Sequence, residues 1–141
     1  MRVVIDTNVI VSGLRSQKGA AFLLLKEVRQ GRLTPVISPA LFFEYEAVLT
    51  RPGILPTQFS RTDITKFLDA FLSLSDLQEI HFKWRPWLRD PNDEFVLELA
   101  VAAGSLPIIT QNLKDFRSSS LLGVTVMTPW ERLCKINLNN S

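Results

Sequence analysis

Apolar residues recur along this chain in two rhythms. Short unbroken runs, rich in Val and Ile and ended by polar residues, read as buried strands. They fall at residues 2–5 (RVVI), 34–38 (TPVIS), 77–82 (LQEIHF), 106–110 (LPIIT) and 123–127 (GVTVM). Between them, apolar positions repeat at spacings of three and four, the mark of one helical face. Such stretches are 19–30 (GAAFLLLKEVRQ), 39–50, 63–74 (DITKFLDAFLSL), 91–103 and a last helix from Pro129 to about residue 135. Punctuation agrees with these bounds. Gly31 and Gly104 close two helices, Ser38-Pro39 opens a third, and Ser60 or Thr62 can cap a fourth. Residues 51–60 (RPGILPTQFS) read as a loop, 83–93 (KWRPWLRDPND) as an irregular connection, and 137–141 as a fraying tail.

Strands alternating with helices imply a mostly parallel sheet of about five strands, covered by helices on both faces. The expected class is therefore α/β with three layers, α/β/α. At 141 residues without repeats or linkers, the chain is expected to form a single domain over residues 1–141, given ~100–200 residues per domain.

Composition narrows the chemistry. Apolar residues make up 46% and charged residues 21%, as in an ordinary globular protein. One cysteine, Cys134, excludes an internal disulfide, and one histidine, His81, flanked by Ile80 and Phe82, gives no basis for a Ser-His or Cys-His nucleophile. No apolar run reaches the ~18 residues that cross a membrane, and the N-terminus turns polar too soon for a signal peptide. A cytoplasmic location, with no membrane partner, is the expectation. The formal net charge of +2 permits a nucleic-acid partner without arguing for one.

The informative residues are acids in apolar settings. Asp6 ends the first strand, in RVVIDTNVIVSG, at the end of the sheet where ligands gather in such folds. Asp-Thr-Asn could equally turn or cap the chain there. In PALFFEYEAVL, Glu44 falls on the stripe of Leu41, Tyr45 and Val48, where an unpartnered carboxylate is costly. It could instead reach solvent or pair with Arg51, while Glu46 lies to the side and can be solvated. In PNDEFVLELAVAAG, Asp93 precedes the inward line of Val96, Ala100 and Ala103 by one turn, although an acid in a first turn also suits the helix dipole. Asp90 is placed to cap that helix. PIITQNLKDF brings Thr110, Asn112 and Asp115 to the end of a strand expected beside the first, where Asp115 could also cap a short helix.

Three or four such carboxylates at one end of a sheet would repel one another. A hard divalent cation, Mg²⁺ or Mn²⁺, relieves that repulsion and prefers oxygen ligands. So held, it can activate a water and stabilise a phosphoryl transition state.

The set VVIDTNVIVSGL, SPALFFEYEAVLTRP, DPNDEFVLELAVAAG, PIITQNLKDF and GVTVMTPWERL resembles, in order and spacing, the successive motifs of PIN-domain proteins. The likeness is nearest to the PIN-family (VapC-like) toxins of prokaryotic toxin–antitoxin systems, and it covers almost the whole chain. It implies a metal-dependent ribonuclease, with Asp6, Glu44 and Asp93 as the catalytic acids. Asp90 and Asp115 would support the metal, and Thr7 and Asn8 accompany the first acid. It also implies an antitoxin partner and homo-oligomers, commonly dimers. One position departs from the pattern: Asn112 stands where many PIN domains carry an aspartate. The alternative is thus a catalytically weak or inactive PIN-like module that binds RNA or protein.

Positive charge for RNA phosphates is available from Arg15 and Lys18 in the loop expected after the first strand, from Arg51, Arg85 and Arg89, and from Lys114 and Arg117. Trp84 and Trp87 could stack bases or pack over the sheet edge. A haloacid-dehalogenase-type phosphatase would need a second aspartate at position 8, where this chain has Asn8. A nucleotide-binding domain would need a glycine-rich loop after the first strand, and none follows.

Overall fold

The structure, a computed structural model, describes residues 1–80, 91–114, 116 and 123–139, with side chains of 91–95 and 136–139 excepted. In chain order the elements are β1 (Arg2–Ile5), α1 (Thr7–Arg15), α2 (Ala20–Arg29), β2 (Thr34–Ile37), α3 (Pro39–Leu49) and α4 (Arg61–Ser73). They continue with β3 (Asp76–Leu77), α5 (Pro91–Ala102), β4 (Ile108–Ile109), β5 (Val126–Met127) and α6 (Pro129–Asn139).

The strands form one sheet in the order β3-β2-β1-β4-β5. All four pairings are parallel, so the expected mostly parallel sheet is parallel throughout. Successive strand residues point to opposite faces. Yet Val3, Val4 and Ile5 are all buried, so both faces of β1 are covered. The helices that cover them fall into two groups. One is α2 with its neighbours α1 and α6; the other is α3 with α4 and α5, and α5 lies against β1 and β4. This is the three-layer α/β/α architecture.

Strand order decides where chemistry can sit. The chain runs from β1 outward to β2 and β3, then returns to the other side of β1 for β4 and β5. The order therefore reverses between β1 and β4, the point beyond whose carboxyl ends sheets of this kind bind their ligands. Ile5 pairs with Ile109 as the last residues of the two strands. Asp6 and Thr110 follow side by side.

Local signals account for most element ends. The Ser38 side chain accepts from the Leu41 N–H at 3.1 Å, with Pro39 in the first turn of α3. Ser60 and Asp63 exchange side-chain and backbone hydrogen bonds in a capping box, so Ser60, not Thr62, caps α4. Five elements differ from the reading of the sequence, β4 and β5 because each spans only two of its five expected residues. Residues 7–15, expected as part of a loop, are helical from the first residue after Asp6. β3 starts at Asp76 and is shorter than the expected 77–82 strand. α6 runs on to Asn139, through most of the segment expected to fray.

The helix α1 forms despite a β-branched run, Val9-Ile10-Val11, that favours strands. Burial overrides propensity here: Val9 and Ile10 are inaccessible to solvent. Gly13 then lets α1 approach α2 closely, since a Cβ there would stand 2.5 Å from Leu25 Cδ1 and 3.2 Å from the Ala21 carbonyl oxygen. On the other side of the molecule Tyr45 meets Phe71 edge-on at 5.9 Å, and Phe71 stacks on Phe67. No helix among the described residues is long and apolar enough to cross a membrane.

Candidate active site at the carboxyl ends of β1 and β4

Asp6 is 7% exposed and caps α1. Its Oδ1 accepts from the Thr7 N–H at 2.8 Å, and its Oδ2 accepts from the Thr110 hydroxyl at 2.7 Å. Its backbone N–H donates to the Ile109 carbonyl, continuing the β1–β4 pairing by one bond. The capping role and the site role are thus met by different oxygens of one carboxylate.

Thr110, inaccessible to solvent, organises this corner. Its Oγ1 accepts from Asn8 Nδ2 at 3.2 Å and from the Asn112 N–H at 3.1 Å. Two donors fill the lone pairs of the hydroxyl, so its one proton is directed to Asp6. A second ring of bonds ties α1 to the loop after β4. The Gln111 N–H donates to Asn8 Oδ1 at 3.2 Å, and Ser12 Oγ donates to Gln111 Oε1 at 2.9 Å. Asn8 therefore holds Thr110 with its amide nitrogen and residue 111 with its amide oxygen.

The next wall is α3. The Tyr45 hydroxyl donates to the Ile5 carbonyl, one residue before Asp6. Burial pushes the Tyr45 phenol well above its ordinary pKa of 10.0, and the negative charge of Asp6 pushes it the same way. The phenol stays protonated and remains a donor. This bond fixes the middle of α3 over the end of β1, and Glu44, half-buried, is the adjacent residue. Glu46, as expected, is exposed, whereas Val48 is only half-buried and Leu49 takes the deeper place.

Asp93 is the third residue of α5, the helix that lies along β1 and β4 and beside α3. The expected inward line after it holds for Val96 and Ala100, both buried; Ala103 is half-buried. The Asp93 side chain, and residues Asp90, Asp115, Arg85, Arg89, Arg117, His81, Trp84 and Trp87, lie outside what the structure describes. Among the described residues no three Asp, Glu, His or Cys side chains group closely enough to hold a metal ion. The structure thus brings Asp6, Thr7, Asn8, Thr110 and Asn112 together and sets the helix of Glu44 against them.

The basic candidates are spread more widely. Arg15 is exposed in the last turn of α1, not in a loop, and Lys18 follows in the connection to α2. Arg51 and Lys114 are also exposed. Three residues of the corner escaped the sequence reading as site residues: Tyr45, Ser12 and Gln111. Tyr45 alone left a signal, the single polar atom on an otherwise apolar stripe beside Glu44.

Cation fit follows from donor chemistry. Asp6 and Glu44 offer carboxylate oxygens only, without the sulfur and imidazole donors that favour zinc or copper. The bonds from the Thr7 N–H and the Thr110 hydroxyl fix the plane of the Asp6 carboxylate. A hard divalent cation suits such a set.

Residues 2–114 match the PIN domain family, and the chain belongs to it. No curated protein matches it in sequence. Among solved structures, it is similar to a chain in the crystal structure of VapBC2 from Rickettsia felis, bound to a DNA fragment from their promoter. The TM-score is 0.63 at 17% identity, over 91% of this chain and 98% of that one. A chain of FitAB, solved bound to the IR36 DNA fragment, gives a TM-score of 0.60 at 17% identity, over 92% and 96%. At such identities the likeness is one of fold.

Proposed function

We propose that this protein is a metal-dependent endoribonuclease that hydrolyses phosphodiester bonds in single-stranded or looped RNA. The observation that carries the reading is the Asp6 carboxylate, buried at the switch point of the sheet and fixed by Thr110. A capping aspartate needs no second clamp from a strand-end threonine, but a metal ligand gains from one.

Asp6, Glu44 and Asp93 would hold Mg²⁺ or Mn²⁺, supported by Asp90 and Asp115. When bound, the cation activates the attacking water and offsets charge on the phosphate. The chain itself supplies orientation. Thr110, itself held by Asn8, and the Thr7 N–H hold Asp6, and Tyr45 holds the helix that carries Glu44. Asn112 contributes its backbone N–H to Thr110 and brings no charge. Arg15, Lys18, Arg51, Arg89 and Lys114 would bind the RNA backbone.

The further reading is a cytoplasmic toxin of a toxin–antitoxin pair, one domain over 1–141, acting as a homo-oligomer and restrained by an antitoxin. Membership of the PIN family and the fold shared with chains of VapBC2 and FitAB support it. The test is cleavage of labelled single-stranded RNA with Mg²⁺, with Mn²⁺ and with EDTA, beside Asp6→Asn and Asp93→Asn. Cation-dependent cleavage lost in both variants upholds the enzyme. RNA bound tightly and left whole would indicate a binding module.

A further inference from the structure

A cavity of about 260 Å³ lies where the end of α3 meets the start of α4, away from the carboxylates. Leu49 and Ile64, both buried, line its depth, with Leu55 and Phe59 half-buried beside them. Arg51 and Arg61, both exposed, stand among its lining residues. Neither guanidinium makes an ion pair or a hydrogen bond among the described residues.

The walls are pre-formed. The Ile54 N–H donates to the Arg51 carbonyl, the Phe59 N–H donates to the Pro56 carbonyl, and the capping box fixes the start of α4. Thr50 turns its hydroxyl back to the Glu46 carbonyl at 2.8 Å. The polar groups left to meet a ligand are therefore mainly the two arginines. Two unneutralised guanidinium forks beside an apolar floor with one aromatic ring call for a ligand of two parts: an oxyanion and a flat, weakly polar body.

We infer that this cavity is a subsite for one nucleotide of a single-stranded RNA. Its phosphate meets Arg51 and Arg61, and its base meets Phe59. The inference rests on the ribonuclease reading for the identity of the strand. Position supports it. Arg51 lies two residues past Leu49, the end of α3, so the helix that carries Glu44 also leads to the cavity. Size sets a limit: at about 260 Å³ the cavity is smaller than the ~300–1,000 Å³ of ordinary ligand pockets, so it takes no more than one base and excludes a duplex. The site would hold substrate one or more residues from the scissile bond, raising affinity without touching the reacting atoms.

The test uses the full chain in EDTA, so that binding is read without cleavage. Fluorescence anisotropy of a short labelled single-stranded RNA is followed for wild type, Arg51→Ala/Arg61→Ala and Arg51→Lys/Arg61→Lys. The alanine pair should bind about tenfold more weakly, with a salt slope reduced by ~0.7 for one lost phosphate contact. The lysine pair should recover part of that loss. In NMR spectra, adenosine monophosphate should shift Phe59 and Ile64 signals, whereas inorganic phosphate should move only the arginine signals. Unchanged RNA affinity in an alanine pair that melts like wild type overturns the inference, as does a cavity that responds to an acidic peptide but not to the nucleotide. Cleavage assays with Mn²⁺ separate the two readings. Arginine-dependent binding without cleavage by wild type removes the nuclease and leaves the subsite. Cleavage by wild type with arginine-independent affinity removes the subsite alone.

Discussion

Thr110 Oγ1 donates to Asp6 Oδ2 at 2.7 Å, joining residues 104 apart in sequence at the ends of two neighbouring strands. Because Asn8 and the Asn112 N–H occupy the acceptor side of that hydroxyl, its direction is set by the surrounding bonds. Thr110→Val keeps the shape and removes this hub. It takes one donor from the buried Asp6 carboxylate and one acceptor from the half-buried Asn8 amide, at a cost of about 1–3 kcal/mol. Urea unfolding should show that loss, and RNA cleavage should fall with it, whereas Thr110→Ser should retain most of both. A valine variant with wild-type stability and activity would remove Thr110 from the account.

Tyr45 does for α3 what Thr110 does for Asp6. Tyr45→Phe preserves the edge-on contact with Phe71 but leaves the Ile5 carbonyl without its phenol donor. Stability should fall by about 1–2 kcal/mol. Activity should fall further than RNA affinity, because the helix carrying Glu44 loses its anchor beside Asp6. Equal losses in affinity and turnover would mean that the hydroxyl serves packing alone.

Acid should weaken the cap of α4. The Ser60 backbone N–H, then the Ser60 hydroxyl contact, hold the Asp63 carboxyl below its ordinary value of 3.8, with Lys66 adding a smaller pull. A depressed carboxyl stabilises the fold above its unfolded pKa, and that contribution fades as pH falls through the folded value. Wild type should therefore melt higher than Asp63→Asn near neutral pH. The gap should close progressively below about pH 4. Melting curves across that range check it, and a gap constant with pH would contradict it.

Much of this site could be read from the residues alone, for a definite reason. Asp6 interrupts an apolar run, and Glu44 breaks an apolar helical stripe, so each is conspicuous at short range. The expected neighbourhood of β1 and β4 is met in the sheet, and it puts Thr110 beside Asp6. What stayed hidden depends on contacts across the fold. The helix α1 is imposed by burial of Val9 and Ile10 against a contrary local preference. The bond from Tyr45 to Ile5, and the link from Ser12 to Gln111, follow from how α3 and the loop after β4 settle on the sheet. No spacing in the sequence encodes them.

In the proposed nuclease, acids far apart in sequence share one cation. Paramagnetic broadening by substoichiometric Mn²⁺, read on assigned amide signals of the full chain, tests this directly. Signals of Thr7, Glu44 and Asp93 should broaden together at the lowest additions, and Asp6→Asn should abolish the effect at all three. Broadening that begins instead at exposed acids such as Asp69 or Asp76, and leaves those three sharp, would contradict it.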